Sequence, residues 1–355
     1  MKLANFPPVL RILLLAVLLS VMTACRQAAL PHKTFLVMGT FFTVTLPADY
    51  ADYLEPAGVL SANALYGLEN QLSLFNSESD IGRLNRAAGG APIPVSEETI
   101  AILRAAHRYG EISGGAFDIT IPPLMKVWGL RGGPAPEHTP SPAALTEALQ
   151  HVDFRRVEIG DQTARLASPG MQADLGGIAK GFAVDEVARI MLKNGLTNIL
   201  INLGGNIRAQ GYATPSAPWH VAIQNPFAEE RVLGKLALRD GEAVATSGNY
   251  ERFVTIGGRR YAHILDPRTG RPVEGMASVT IITTGPDAAM DADALSTTLF
   301  VMGYEQGAGF LATNFPDFAV LFVPARQPLE LYATPAFATR FTPAPEYANR
   351  VRLLP

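Results

Sequence analysis

The segment that decides the fold is DLGGIAKGFAVDEVARIMLKNGLTNILINLGGN, residues 174–206. Apolar residues recur at helical spacing over Ile178–Lys193, which predicts an amphipathic helix. The run NILINL at Asn198–Leu203 is typical of a short buried strand. A glycine pair precedes the helix and a second pair follows the strand. Glycine lets a backbone approach a ligand closely, so both pairs are candidate binding loops, with plain turns as the alternative.

Further strands and helices are expected on both sides of this segment. A β-branched and aromatic run predicts one extended strand over Thr34–Leu46, and leucine spacing predicts a helix over residues 56–75. Another helix is expected over Thr99–Ser113, with Ser96 as its N-cap. The other expected elements are Ala143–Gln150, Val157–Ile159, Ala164–Leu166, Trp219–Ile223, Ala243–Thr246, Phe253–Ile256, Tyr261–Leu265, Ser278–Thr283, Asp291–Met302 and Ala319–Val323. Strands with mixed connections and intervening helices predict an α+β or a mixed α/β domain.

Composition excludes several classes of protein. The chain has 355 residues, 48% of them hydrophobic, with net charge −3 and one cysteine. This length fits one large domain or two closely packed lobes, and the apolar content excludes a mostly disordered chain. A single cysteine excludes a disulfide framework and a cysteine-based zinc or iron–sulfur site. The absence of a basic tract argues against binding nucleic acid mainly through its phosphates.

The first thirty residues predict export. Lys2 and Arg11 precede an apolar run at residues 12–22, which as a helix of about 16 Å is too short to span a bilayer. Small residues before Cys25 complete the pattern of a secretory signal, and a cysteine there resembles a bacterial lipobox that is cleaved after residue 24 and acylated. An ordinary signal peptide with a coincidental cysteine is the alternative. Residues 1–24 carry two positive charges and no negative ones, so the mature chain has net charge −5 and is expected to be tethered by lipid rather than by charge.

Two polar clusters suggest a site for an anion and a cation. Lys180 lies in the first turn of the predicted helix, where a cation is unfavourable unless an anion lies nearby; a solvated lysine is the alternative. Asp293 and Thr297 are four residues apart and share one face of a predicted helix. A carboxylate and a hydroxyl suit Mg²⁺, whereas a capping aspartate and a threonine bonded to the backbone would explain the same spacing.

Two further clusters contain groups that could act on a substrate or bind one. His263 ends a predicted strand before the turn at residues 266–270, and its imidazole suits a general base, with a packed or solvated histidine as the alternative. Phe117, between Ala116 and Asp118, could line a slot for a planar heterocycle or could be ordinary core.

The order of these clusters resembles that of the ApbE family of FAD:protein FMN transferases. The colinear segments are MGT at 38–40, SDIGRLN at 79–85, GGAFDITIPPLMKVWG at 114–129, ADLGGIAKGFAVD at 173–185, NLGGNI at 202–207, ATSGNYERF at 245–253, HILDPRTGRPV at 263–273 and DADALSTTLFVMG at 291–303. The resemblance implies a flavin transferase domain over residues 34–325. A signal peptide (1–24) and a tether (25–33) would precede it, and a C-terminal surface strap (326–355) would follow.

The resemblance also implies a fold and a reaction. The fold would be ApbE-like and α+β, related to the T-fold, with two lobes and FAD in the cleft between them. Members use Mg²⁺ to cleave FAD, attach FMN through a phosphoester to a Thr or Ser hydroxyl of an acceptor protein, and release AMP. The acceptors would be redox subunits of the Nqr and Rnf type, and the enzyme would be lipid-anchored at the periplasmic (outer) face of the inner membrane.

Site residues are carried over position by position. The residues that match family FAD contacts are Met38, Phe75, Ala116, Phe117, Asp118, Asp174, Lys180 and Ile264. The residues that match the metal site are Gly177, through its carbonyl, together with Asp293, Ser296 and Thr297. His263 matches the base that deprotonates the acceptor hydroxyl, and Lys180 is the second expected catalytic residue because it can neutralise charge on the diphosphate. Asp291 is not expected to be a ligand.

Two alternatives to the transferase remain. An FAD pyrophosphatase would use water in place of the acceptor and yield FMN and AMP from the same site. A non-catalytic FAD-binding lipoprotein is the other, although Lys180, His263, Asp293 and Thr297 argue against it.

Overall fold

The computed structural model describes residues 29–131, 136–250 and 252–354. The expected signal peptide at 1–24 and the expected lipidation site Cys25 lie outside these ranges. Within the ranges, no helix has both the length and the apolar character needed to cross a membrane.

The strands follow one another along the chain as short segments. They are β1 His32–Val37, β2 Thr40–Thr45, β3 Ile93–Pro94, β4 Val157–Ile159, β5 Thr163–Leu166, β6 Ile199–Leu203, β7 Asn206–Gln210, β8 Trp219–Asn225, β9 Ala228–Leu238, β10 Ala243–Gly248, β11 Phe253–Ile256, β12 Arg259–Ala262, β13 Leu265–Asp266, β14 Arg271–Pro272, β15 Met276–Thr283, β16 Ala319–Pro324, β17 Leu331–Ala333, β18 Phe341–Pro343 and β19 Val351–Leu353.

The α-helices lie mostly in the first half of the chain and after β15. They are α1 Leu54–Leu72, α2 Asp80–Arg86, α3 Glu97–Ile112, α4 Pro122–Val127, α5 Pro142–Leu149, α6 Ala179–Lys193, α7 Ala288–Asn314 and α8 Pro335–Ala338. Ser96 accepts a hydrogen bond from the Thr99 amide at 3.2 Å and so caps α3 as predicted. The predicted end of the Asp291–Met302 helix falls at a kink in α7, where Gly303 has φ +73°.

Nine strands form the central sheet in the order β1-β2-β6-β7-β10-β15-β16-β17-β19. Within this sheet every described pair is antiparallel except β17 with β19. A mixed α/β domain would instead rest on parallel strands joined by crossover helices. The antiparallel pairing therefore confirms the α+β prediction.

The central sheet is covered on both faces. Along β10, Ala243 and Ala245 pack into a core shared with helices α1, α3, α6 and α7, whereas Val244 packs into a second core on the opposite face. The three-stranded sheet β18-β9-β8 covers that second face. Since both faces are covered, every residue of β15 and β16 is buried.

A third, smaller core stands apart from these two. It joins Leu124 and Trp128 of the α4 region and Leu145 of α5 with Val254 and Ile256 of β11. The Trp128 indole also donates a hydrogen bond to the Gly270 carbonyl oxygen at 2.8 Å. This core therefore supports the segment that runs through β11, β12 and His263.

Several parts of the chain differ from the sequence-based expectation, and one is the strand expected over Tyr261–Leu265, since β12 ends at Ala262 and β13 begins only at Leu265. The single strand expected over Thr34–Leu46 is wrong, because Met38 and Gly39 adopt φ values of +52° and +68° and reverse the chain into the β1–β2 hairpin. Strands β7 and β9 were not predicted because charged and polar side chains interrupt their apolar pattern.

Residues 326–355, expected as a surface strap, instead belong to the sheets. Strands β17 and β19 extend the central sheet, and β18 pairs with β9. Phe337 of α8 is completely buried between these layers. The strands here are only three residues long, too short to show a periodic pattern in a Pro- and Ala-rich sequence.

Candidate active site

The glycine loop before α6 is held in place by a distant asparagine. The Asn85 side chain donates to the Ala173 carbonyl oxygen at 3.0 Å and accepts from the Ala173 amide at 2.6 Å. The next residue, Asp174, donates its amide to the Ile119 carbonyl oxygen at 2.8 Å. Two of the colinear segments thus meet at this loop and fix the start of α6.

Gly177 occupies a narrow space between two other candidate site residues. A Cβ atom at this position would lie 3.3 Å from the Phe117 ring and 3.6 Å from the Thr297 hydroxyl. A larger side chain at residue 177 would fill the space that separates this ring from this hydroxyl. Glycine therefore keeps this space beside Thr297 open, since a Cβ would touch the hydroxyl and press tightly on the ring.

Helices α6 and α7 are locked together at their first turns. A Cβ atom at Gly181 would overlap the Ala289 carbonyl oxygen, so the helices meet at backbone distance. The buried Asp185 carboxylate accepts hydrogen bonds from the amides of Ala289 at 3.0 Å and Met290 at 2.9 Å and so caps α7. It also pairs with Arg208. Asp185 is the last residue of the segment ADLGGIAKGFAVD, but it was not among the predicted site residues.

Asp293 faces the start of α6 from the second turn of α7. Its Oδ2 accepts a hydrogen bond from the Gly181 amide at 3.0 Å, and its Oδ1 lies 3.5 Å from the Lys180 Nζ. Lys180 also donates to the Gly176 carbonyl oxygen at 2.9 Å. The Asp293 carboxylate is thus one anion that stabilises the lysine in this first turn.

Three hydroxyl groups form a cluster next to the backbone of Asp293. The Ser247 Oγ, at the end of β10, is 2.9 Å from the Ser296 Oγ and 3.2 Å from the Thr297 Oγ1. The hydroxyls of Ser296 and Thr297 also donate to the Asp293 carbonyl oxygen, at 3.0 and 3.3 Å. The backbone bonds expected of a threonine in a helix are therefore present together with the hydroxyl cluster. Ser247 was not among the predicted site residues, because a serine in the polar turn at residues 246–250 could equally well only turn the chain.

The oxygen donors fit a magnesium ion. In the described ranges no three His, Cys, Asp or Glu side chains cluster as a metal site, so Asp293 would be the single carboxylate ligand. The other nearby donors are hydroxyl oxygens, and Gly177 leaves open space beside Thr297. Mg²⁺ commonly takes one or two carboxylates and completes its shell with water and substrate phosphates. Asp291 is turned away from this cluster and accepts a hydrogen bond from Tyr109.

His263 follows β12 and is only partly exposed. Its Nδ1 lies 3.0 Å from the Arg252 carbonyl oxygen, which can only accept, so Nδ1 carries the hydrogen and Nε2 keeps a lone pair. Burial, with the nearby positive charges of Arg252 and Lys180, lowers the pKa of His263 to about 4. The imidazole is therefore neutral at pH 7 and able to accept a proton.

The remaining predicted FAD contacts divide into buried and exposed residues. Ala116, Phe117 and Ile264 are buried, and Phe117 packs edge-on against Tyr109. Phe75 is 83% exposed, and the Arg131 guanidinium lies 5.9 Å from its ring centre.

Arg131 also pairs with Asp174, so it links Phe75 to the glycine loop. Phe75 and Arg131 line a cleft of about 450 Å³. Met38 lies at the tip of the β1–β2 hairpin.

Asp118 is held by Thr120, two residues away, and by the Phe154 amide, 36 residues further along the chain. Its Oδ1 accepts from the amide and hydroxyl of Thr120 at 2.7 and 2.6 Å, and its Oδ2 accepts from the Phe154 amide at 2.9 Å. Burial raises the pKa of this carboxyl. In this structure Asp118 orders the loop that carries Phe117.

The chain is similar to known proteins over most of its length. The model of the ApbE family matches residues 38–322. The FAD:protein FMN transferase of Vibrio cholerae is 30% identical over 298 residues, which are 81% of this chain and 86% of that protein. The FAD:protein FMN transferase of Treponema pallidum is 37% identical over 271 residues, which are 72% of this chain and 73% of that protein. The solved structure of the flavin transferase ApbE from Vibrio cholerae covers 87% of this chain and 98% of its own, with a TM-score of 0.76 and 29% identity.

Proposed function

The chain belongs to the ApbE family, and from this premise we propose that it transfers FMN from FAD to a Thr or Ser hydroxyl of an acceptor protein. FMN would be attached through a phosphoester bond, and AMP would be released. The observation that carries the proposal is the convergence of Gly177, Lys180, Asp293 and Thr297 at the facing ends of α6 and α7. A diphosphate is the part of FAD that such a site would bind.

The start of α6 would bind the FAD diphosphate. The glycine loop offers backbone amides at a helix N-terminus, where anions are stabilised. Lys180 adds a positive charge, and its side chain is 28% exposed, so a ligand can reach it. The flavin ring would lie near Phe117, Ile264 and Phe75, and the cleft that Phe75 lines with Arg131 supports a ligand on that side of the glycine loop.

Asp293 and Thr297 would hold Mg²⁺, with Ser296 and the Gly177 carbonyl beside them. When bound, the ion neutralises negative charge on the diphosphate. Asp293 is 5% exposed and is held by the Gly181 amide, so its carboxylate is oriented before any ligand arrives. Ser247 would fix the Ser296 and Thr297 hydroxyls in the same way. Preorganised groups of this kind contribute most to stabilising charge in a transition state.

His263 would act as the general base. Its neutral Nε2 would take the proton from the acceptor hydroxyl as that oxygen attacks the FMN phosphorus. One phosphorus–oxygen bond forms, and the bond between the two phosphates breaks. The electron pair of the broken bond leaves on the AMP phosphate. Lys180 would stabilise the negative charge that remains on the phosphates.

The domain boundaries and the location of the enzyme belong to the same proposal. The transferase domain would span residues 34–325, which is supported by the family match at 38–322. The signal at 1–24 and acylation of Cys25 would place it at the periplasmic face of the inner membrane, tethered by residues 25–33. Acceptors of the Nqr and Rnf type would be available there. Support for this location is the pattern of the N-terminal sequence.

A labelling assay tests the activity. The full chain is incubated with FAD, Mg²⁺ and the soluble domain of an Rnf-type subunit that carries a threonine acceptor. The acceptor band should become fluorescent in a denaturing gel, and AMP should appear in equal amount. Release of FMN and AMP without labelling would indicate the pyrophosphatase. FAD binding with neither product would indicate the non-catalytic binding protein.

A further inference from the structure

A groove of about 440 Å³ begins beside the proposed base and is not used by the proposed FAD site. It is lined by all four residues of β12, Arg259–Ala262, and His263 is the residue that follows them in the chain. Asn249, two residues after Ser247, lines it from another side. Successive side chains of a strand point to opposite faces, so a groove lined by four consecutive residues follows the edge of the strand. We call it the β12 groove.

The edge of β12 that borders this groove is unpaired. In the described chain β11 and β12 pair only with each other, in a register that places Phe253 opposite Ala262. The His263 amide donates to the Arg252 carbonyl oxygen at 3.2 Å, and hydrogen-bonded pairs alternate along an antiparallel ladder. The backbone groups of Arg260 and Ala262 therefore point away from β11. A free edge of this kind can accept one more strand.

Four charged residues line the groove, Arg259, Arg260, Glu229 and Glu274, and the two that lie on β12 itself are both basic. The exposed Arg260 stacks on Phe253, with its guanidinium 4.4 Å from the ring centre, and pairs with none of the described carboxylates. Arg259 pairs with Glu274 at the rim, at 2.7 Å. Phe227 and Phe253 are 46% and 44% exposed, so a bound peptide could bury two aromatic rings. An extended peptide with acidic and apolar side chains complements both features.

We propose that the β12 groove is the docking site of the acceptor protein. An extended, acidic segment of the acceptor adds a strand to the free edge of β12 and so presents its hydroxyl to His263. This inference rests on the proposed function, because it names where the acceptor of that reaction binds. The segment pairs with the backbone of Arg260 and Ala262, and the Arg260 side chain binds its acidic residues. Because His263 follows Ala262, a segment paired with Ala262 places its next residues close to the imidazole.

Hydrogen exchange tests the docking site independently of turnover. The full chain with FAD is mixed with the Rnf-type acceptor domain in which the acceptor threonine is replaced by valine. The valine-substituted domain is used at a concentration at which it inhibits labelling of the unmodified acceptor domain. The amides of Arg260 and Ala262, which point away from β11, should exchange at least about tenfold more slowly than without it, as expected for amides that gain a strand partner. Residues 157–166, the β4–β5 hairpin, serve as the control and should not change.

Kinetics of two charge-reversal variants give a second test. Arg260→Glu should raise the KM for the acceptor about tenfold or more, because it repels the acidic segment. Lys193→Glu reverses an exposed charge at the far end of α6 and should leave that KM within about twofold of the wild type. FAD binding without acceptor, followed by flavin fluorescence, shows that each variant is folded.

The outcomes separate the docking site from the activity. Protection of the Arg260 and Ala262 amides together with the Arg260→Glu effect supports the proposal. Labelling at the normal KM by Arg260→Glu, or protection that falls elsewhere, overturns the docking site and leaves the transferase standing. No labelling by the wild-type chain overturns both.

Discussion

Replacing Asp293 by asparagine should separate the chemistry of the site from its stability. Asparagine keeps the size of the side chain and one oxygen that can accept the Gly181 amide, now held at 3.0 Å. It removes the negative charge that lies 3.5 Å from the Lys180 Nζ. Lys180 is partly exposed and can recover water, so we expect the free energy of unfolding to fall by only about 1–2 kcal/mol.

The effect of the same change on the rate should be much larger. Loss of the single carboxylate ligand should cost about 3–4 kcal/mol of transition-state stabilisation, which is the size of a preorganised electrostatic contribution. Each 1.36 kcal/mol is a factor of ten, so kcat for labelling should fall about 10²- to 10³-fold. Initial rates of in-gel fluorescence at saturating FAD and Mg²⁺ measure kcat, and urea unfolding measures stability.

Asp291→Asn is the matched control. Asp291 lies two residues earlier on α7, but its carboxylate is bound by Tyr109 and faces Arg108 at 3.9 Å. This variant should keep kcat within about threefold of the wild type, as expected when no transition-state contact is lost. Near-normal labelling by Asp293→Asn would refute the assignment of the metal site. Equal losses of kcat in both variants would show that activity depends only on negative charge near the start of α7, and not on a metal ligand at residue 293.

Three further predictions concern the other parts of the site. His263→Ala should still bind FAD but lose transfer, because the general base is gone. The pKa of His263 is lowered to about 4, so the rate of the wild type should decline only as the pH falls toward 4, with no step near 6.5 in the pH profile. Ser247→Ala should raise the Mg²⁺ concentration that gives half-maximal labelling about two- to tenfold, which corresponds to one lost hydrogen bond to Thr297; an unchanged Mg²⁺ dependence would contradict this role. Gly181→Ala should destabilise the fold by about 1–3 kcal/mol or more through overlap with α7, whereas Gly309→Ala, which meets nothing within 4 Å, should be neutral or stabilising in the same urea titration.

Local signals in the sequence predicted the longer helices but not the short helices α2, α4 and α8. Ser96 caps α3, and the helix expected at Ile178–Lys193 is α6, Ala179–Lys193. These elements depend on apolar spacing and on one capping residue, both of which are visible within a short window. The expected proximity of Gly177 to Thr297 came from the resemblance alone, because 120 residues separate them in the chain.

Features that depend on distant contacts escaped the sequence analysis. Met38 takes a positive φ that its residue type does not favour, so the β1–β2 turn could not be anticipated. Asp185 caps a helix that begins about a hundred residues later, and Asn85 holds a loop that lies 88 residues away. Ser247 gains its role only from hydroxyls on α7. Asp185, Asn85 and Ser247 are polar and buried or half-buried, and the partner of each is set by the fold rather than by its neighbours in sequence.

The most direct test is a crystal structure of the full chain with FAD and Mn²⁺, which scatters anomalously in place of Mg²⁺. We predict an anomalous peak within coordination distance of the Asp293 carboxylate and the Thr297 hydroxyl, with oxygens of the FAD diphosphate completing the shell. Bound FAD whose diphosphate lies away from α6 and α7, or a Mn²⁺ peak at other residues, would contradict the account.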